Sequence, residues 1–288
     1  MLKLGYMEID IAPDTPMPLI GFSREDNMSQ GVLKQLIAQV SVWESEERCC
    51  LICIDSIGFA KHLADSLRMR VGRVLNVSRD KVMLCFSHCH SAPDADNMLH
   101  YYEMVCNKIE LAVERALFTI QPVLCGWSNV ETEMGVNRRE GNTSLDKRVG
   151  LLKVCEESKD KIRLLLVRVT AHCNVLKGDN YFISPDFFGT IRNVLQRKFD
   201  CPIMVIQGAA GNIAPKYFRY GEIPIDARGP EYIKFNTALE DVANIIYKNA
   251  VQKIGTVDAM SGLSAKMQSK DIELNSIVPS LEIAEQIV

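Results

Sequence analysis

The chain has 288 residues, 47% of them hydrophobic and 24% charged, with a formal net charge of −3 and mean hydropathy near zero. It can therefore bury a large core, as one domain or two small ones. No long basic run supplies an electrostatic footprint for nucleic acid. No apolar stretch approaches the roughly 20 residues needed to span a bilayer, and Met1 to Asp10 lacks the apolar centre of a signal peptide, so a cytoplasmic protein is expected. The ten cysteines are scattered and mostly sit in apolar runs, which reads as reduced, buried thiols rather than disulfides. Cys50 and Cys53 form a Cys-x-x-Cys inside a strand-like run and are read as core.

Leu2 to Ile20 reads as a short edge strand followed by a proline-bearing arm. Gln35 to Trp43 and Cys49 to Asp55 then form a hairpin, Lys61 to Leu75 has helical period at Leu63, Leu67, Val71 and Val74, and Lys81 to Phe86 is a buried strand. Met98 to Thr119 is a long helix, followed by a strand over Gln121 to Trp127. The order then recurs: a hairpin over Val149 to Cys155 and Ile162 to Thr170, a helix over Pro185 to Phe199, a strand over Pro202 to Gln207, a helix over Glu231 to Ala250 and a last strand over Gly255 to Leu263. The expected fold class is α/β, with two similar β-β-α-β-α-β halves (about 31–130 and 149–264) whose mixed sheets are covered by helices.

The chemistry concentrates where strands end. His88 and His90 follow the strand ending at Phe86, and an extended backbone would send both to the same side. Two such imidazoles can share a metal ion, zinc among several first-row ions, or can be two surface histidines that fell together by chance. In an open α/β sheet, ligands gather beyond the carboxyl ends of strands. If the two halves bring those ends together, His172 is the natural third ligand; otherwise it is a capped loop histidine.

Asp55 and Asp186 are candidate carboxylates to orient ligating histidines, and Asp186 can instead charge the first turn of its helix. Gln207 to Lys216 is a small-residue loop after a strand, read either as a tight turn or as a source of amides, near Gly211 and Asn212, for an oxyanion. Asn137 and Arg138 lie in a polar loop. Paired arginines there are either solvated surface or a device for gripping a carboxylate or phosphate.

The order of Asp10-Ile-Ala-Pro13, Gly31 to Trp43, Ser87-His-Cys-His-Ser-Ala-Pro93, Val136-Asn-Arg-Arg139, Ala171-His172, Ile183-Ser-Pro-Asp186 through Gly189, and Gln207-Gly-Ala-Ala-Gly-Asn212 resembles the neutral/alkaline non-lysosomal ceramidase family. The resemblance is closest to short bacterial proteins that share its amino-terminal catalytic domain. It implies one ceramidase-like domain over residues 1–288 and Zn2+ on His88, His90 and His172. The implied activity is hydrolysis of an amide (N-acyl) bond in a small-molecule substrate by a metal-bound water, with Arg138 orienting that substrate. Where the family has Gly-Asp-Val-Ser-Pro-Asn, this chain has Gly211-Asn-Ile-Ala-Pro-Lys216, so Ala214 replaces a serine tied to catalysis and the substrate is expected to differ from ceramide. The family's remaining glutamate and tyrosine ligands lie further along than Val288. The chain is therefore expected to be truncated or naturally short, and a homo-oligomer could complete the site. Two other functions fit the same histidines: a metal-dependent esterase, and a metal- or ligand-binding homologue without turnover.

Overall fold

The runs Cys49 to Ile54 and Leu164 to Val167 are apolar on both faces, so the sheets built on them must be covered twice. The computed structural model describes residues 1–159, 161–216 and 235–273. The strands and helices run β1 (Lys3–Asp10), β2 (Gly31–Val32), β3 (Ile37–Glu44), β4 (Arg48–Ile54), α1 (Lys61–Leu75), β5 (Val82–Phe86), α2 (Leu99–Phe118), β6 (Gln121–Pro122), β7 (Leu124–Glu131), β8 (Gly135–Asn137), β9 (Arg148–Cys155), β10 (Ile162–Val169), β11 (Phe182–Ile183), α3 (Asp186–Phe199), β12 (Ile203–Gln207), β13 (Ile213–Pro215) and α4 (Phe235–Gly255).

Two larger sheets form, with strand orders β5-β4-β3-β1-β6 and β12-β10-β9-β7, beside two-stranded pairings of β11 with β2 and β13 with β8. In each larger sheet, an antiparallel hairpin (β3–β4, β9–β10) is followed by a helix and then a parallel strand, β5 on β4 and β12 on β10. On β4, Cys50, Ile52 and Ile54 face the helix-side core, whereas Cys49, Leu51 and Cys53 face the other way. On β10 the same split separates Leu165, Val167 and Val169 from Leu164 and Leu166. The inner faces meet in one cluster that joins Leu4, Trp43 and Cys53 to Cys125, Leu164, Leu166 and Met204. Helices α1 and α2 lie on the first sheet, α3 and α4 on the second, giving four layers in the order helix, sheet, sheet, helix.

Helix α1 buries Leu63, Leu67, Val71 and Leu75, one stripe at a spacing of four. It stops where Asn76 turns left-handed (φ 54°) and the N–H groups of Asn76 and Val77 bond back to Arg73 and Gly72.

The α/β class and both hairpins match the sequence reading. Strand β7, expected to close the first half, instead pairs along its whole length with β9 of the second sheet. It thereby occupies the place there that β1 occupies beside β3, so the recurring unit starts one strand earlier than the sequence reading placed it. The strand expected at Gly255–Leu263 is reduced to a bridge between Met260 and Cys125, and the expected helix start at 231–234 lies outside the described residues. All ten cysteines are free, and Cys50 and Cys53 are core residues on opposite faces of β4.

Candidate metal centre

Parallel pairing puts the carboxyl ends of β4 and β5, and of β10 and β12, in register: Ile54 opposes Phe86, and Val169 opposes Gln207. Stacking the two sheets brings these ends together. His88 and His90 leave β5, His172 leaves β10, and the rings meet with centroids 5.2 Å (His88–His90), 4.5 Å (His88–His172) and 5.4 Å (His90–His172) apart. One ligand nitrogen from each lies within 4.8 Å of the others, so the group could hold a metal ion.

The convergence has a different cause from strand alternation. His88 is left-handed (φ 60°), a conformation that non-glycine residues seldom adopt outside sites that hold them there. What aims the rings is a carbonyl behind each. His88 Nδ1 lies 2.8 Å from Ile57 O, His90 Nδ1 3.0 Å from Gly21 O, and His172 Nδ1 2.8 Å from Ala210 O. A carbonyl only accepts, so each Nδ1 carries the proton and each Nε2 keeps its lone pair for a ligand. The Nε2 of His90 is buried and has no hydrogen-bond partner, which leaves a buried acceptor that a cation would satisfy.

Burial, reinforced by His88, His172 and Lys177, pushes the His90 imidazole down to about 3, and the Gly21 carbonyl opposes this only partly. Burial also lowers His172; His88, Arg138 and Lys177 add to the effect. Both rings are therefore neutral at pH 7, the form that binds metal. Imidazole nitrogens suit a first-row ion, and three of them leave coordination positions open.

The carboxylates expected behind the histidines serve elsewhere. Asp55 is 2% exposed and takes both guanidinium nitrogens of Arg192 at 3.0 and 2.5 Å, plus the N–H of Ile37. It ties the end of β4 to α3. Asp186, buried and left-handed (φ 53°), accepts the N–H groups of Val175, Leu176 and Phe187. Its carboxyl thus holds the loop after His172 against α3, and burial pushes it up to about 6 despite those donors.

Around the rim, Arg138 donates from Nη2 to Gly211 O (2.8 Å) and from its backbone to Asn212 O (2.9 Å), next to the carbonyl that holds His172. Gly211 and Asn212 are exposed. Asn137 is turned into its own loop, donating to Asn142 and Ser144.

Sequence reasoning missed Gly21, Arg24 and Lys177. Gly21 is left-handed (φ 104°), and a Cβ there would lie 2.7 Å from the His90 ring. Arg24 donates to His90 O (3.1 Å) and Asn180 O (3.2 Å). Lys177, buried, donates to Asn174 O. Support through backbone carbonyls has no residue-type signature; the only available signal was a glycine in the arm before a polar run.

No family model and no curated protein matches the chain. Solved structures do. The neutral ceramidase from Pseudomonas aeruginosa superposes with a TM-score of 0.70 at 17% identity, over 87% of this chain and 45% of that one. The fold is that of neutral ceramidase. A ceramidase complexed with C2 gives a TM-score of 0.72 at 18% identity, over 87% of this chain and 44% of its own. The chain thus spans less than half the length of these ceramidase structures. No described helix is long and apolar enough to cross a membrane.

Proposed function

We propose that residues 1–288 form one catalytic domain that hydrolyses an amide (N-acyl) bond of a small-molecule substrate, using zinc held by His88, His90 and His172. The observation that carries this reading is the set of three Nδ1-to-carbonyl hydrogen bonds on histidines that each place a ring nitrogen within 4.8 Å of the others, with the Nε2 of His90 buried and unpartnered. The ceramidase fold supports it.

Zinc bound there would supply a Lewis acid for the substrate carbonyl and lower the pKa of a water to about 7. The carbonyls of Ile57, Gly21 and Ala210 orient the imidazoles, while burial keeps His90 and His172 neutral. Arg138 lies at the rim with no carboxylate partner among the described residues, and its guanidinium would orient the acyl group. Amides near Gly211 and Asn212 would meet the developing oxyanion. Ala214 is buried in β13 and offers no hydroxyl, so this position supplies no nucleophile. The same feature favours a second reading, a metal-binding homologue without turnover.

The test is metal analysis of protein purified without chelator, followed by hydrolysis assays on N-acyl and ester panels with zinc restored. One zinc per chain, lost in H88A/H172A, together with amide turnover that the variant lacks, is the expected result. Metal content unchanged in H88A/H172A would remove the site. Full zinc with no turnover on either panel would select the second reading.

A further inference from the structure

Two of the three histidines come from different sheets, so something must fix the distance between their loops. Gln207, the last residue of β12, sits between them. Its Nε2 donates to Ser87 O at 3.0 Å and to Ala171 O at 2.8 Å. Ser87 directly precedes His88, and Ala171 directly precedes His172. A primary amide has two N–H groups set in a rigid fork, and here each prong takes the carbonyl one residue upstream of a candidate ligand. The amide orientation follows from its partners: both are acceptors, so nitrogen must face them.

The anchoring on either side is rigid. Ser87 N–H bonds to Ile54 O in the first sheet, and Gln207 is paired with Val169 in the second. The fork therefore spans the junction of the two sheets. Further along, the loops touch again through His90 N–H to Cys173 O, at a longer 3.3 Å. The Oε1 of Gln207 is buried without a partner, so the bonds that this amide makes in the fold are those of its nitrogen.

We propose that Gln207 is a positioning residue of the metal centre, clamping the His88 and His172 loops so that their Nε2 atoms stay at a spacing one ion can bridge. This rests on the reading of the three histidines as a metal site. Removing the fork frees two loops whose carbonyls then lose a donor, and the histidines must be brought together by the ion itself. Loss of an outer hydrogen bond of this kind weakens metal binding by about 10–100-fold.

The experiment compares wild type with Q207M, which keeps length and volume but has no donor, and Q207E, which sets an acceptor against both carbonyls. Zinc affinity is measured by competition with a chromophoric chelator, and geometry by the visible spectrum of the cobalt-substituted protein. The thermal midpoint of the apoprotein is recorded alongside. Zinc binding weakened at least tenfold, with an altered cobalt spectrum in folded Q207M, is the expected result; if Q207M does not fold, Q207E decides on the same readouts. Unchanged affinity and spectrum in a folded variant, whatever the change in apoprotein midpoint, would overturn the positioning role while leaving the metal site standing. Absence of stoichiometric zinc from wild type would overturn both.

Discussion

Replacing Asp55 distinguishes two roles that a carboxylate at a strand end can have. If it oriented a ligating histidine, its loss would weaken zinc by about 10–100-fold, or about 1.4–2.8 kcal/mol, and leave the fold nearly untouched. The structure assigns it instead to a buried pair with Arg192, whose side chain is 9% exposed. In D55A the guanidinium loses both oxygens, at 3.0 and 2.5 Å, while Ile37 N–H loses its acceptor. Breaking such a pair from one side costs about 3–5 kcal/mol, because an uncompensated charge is left inside. Replacing both partners with apolar residues of similar volume removes that charge, so D55L/R192M should recover most of the loss. Urea unfolding of the two variants beside wild type, with zinc competition on the folded fraction, measures both quantities. A stability loss under about 1 kcal/mol in D55A, or a tenfold loss of zinc affinity, would refute the assignment.

Three smaller experiments probe the supports of the histidines. In G21A the new methyl must sit at a φ of 104° and 2.7 Å from the His90 ring; a stability cost of about 1–3 kcal/mol is expected, with zinc binding weakened at least tenfold, and wild-type affinity in the folded variant would exclude His90 as a ligand. The second is pH dependence in the apoprotein. His90, at about 3, and His172 both titrate below the unfolded value of about 6.5, so the unfolded chain binds protons that the folded chain does not. Their contribution is complete above pH ~6.5 and is lost as pH falls from there towards 3. Asp186, at about 6, acts in the opposite sense, its contribution present below pH ~4 and lost as pH rises through 6. Wild type should therefore lose urea resistance on acidification from pH 7 to 4 more steeply than H90A/H172A, and equal slopes would refute the buried neutral state. The third is D186A, which strands the N–H groups of Val175, Leu176 and Phe187; at about 1–3 kcal/mol per buried donor, a lowered urea midpoint is expected, and an unchanged one would show that the carboxyl does not hold this loop.

Much of the architecture was legible because it rests on periodicity. The stripe Leu63, Leu67, Val71 of α1 and the apolar runs of β4 and β10 follow from side-chain geometry alone, and helices alternating with such strands leave few alternatives to an α/β sandwich. Strand ends also singled out the three histidines that the fold brings together. Partner choice was not legible: β7 carries nothing in its residues that selects β9 over its own half, since an apolar strand pairs with whichever edge the packed helices leave open. The roles of Asp55 and Asp186 failed for a related reason, because a carboxylate's partner is fixed by which donor lies across the interior, here Arg192 and three backbone amides. The sequence by itself determined which side chains were available to hold a metal. Only the stacking of two sheets decided that His172 would face His88 and His90, and only the backbone carbonyls of Ile57, Gly21 and Ala210 decided which nitrogen each would offer, because a carbonyl is the same in every residue and acquires a role solely from where the fold places it.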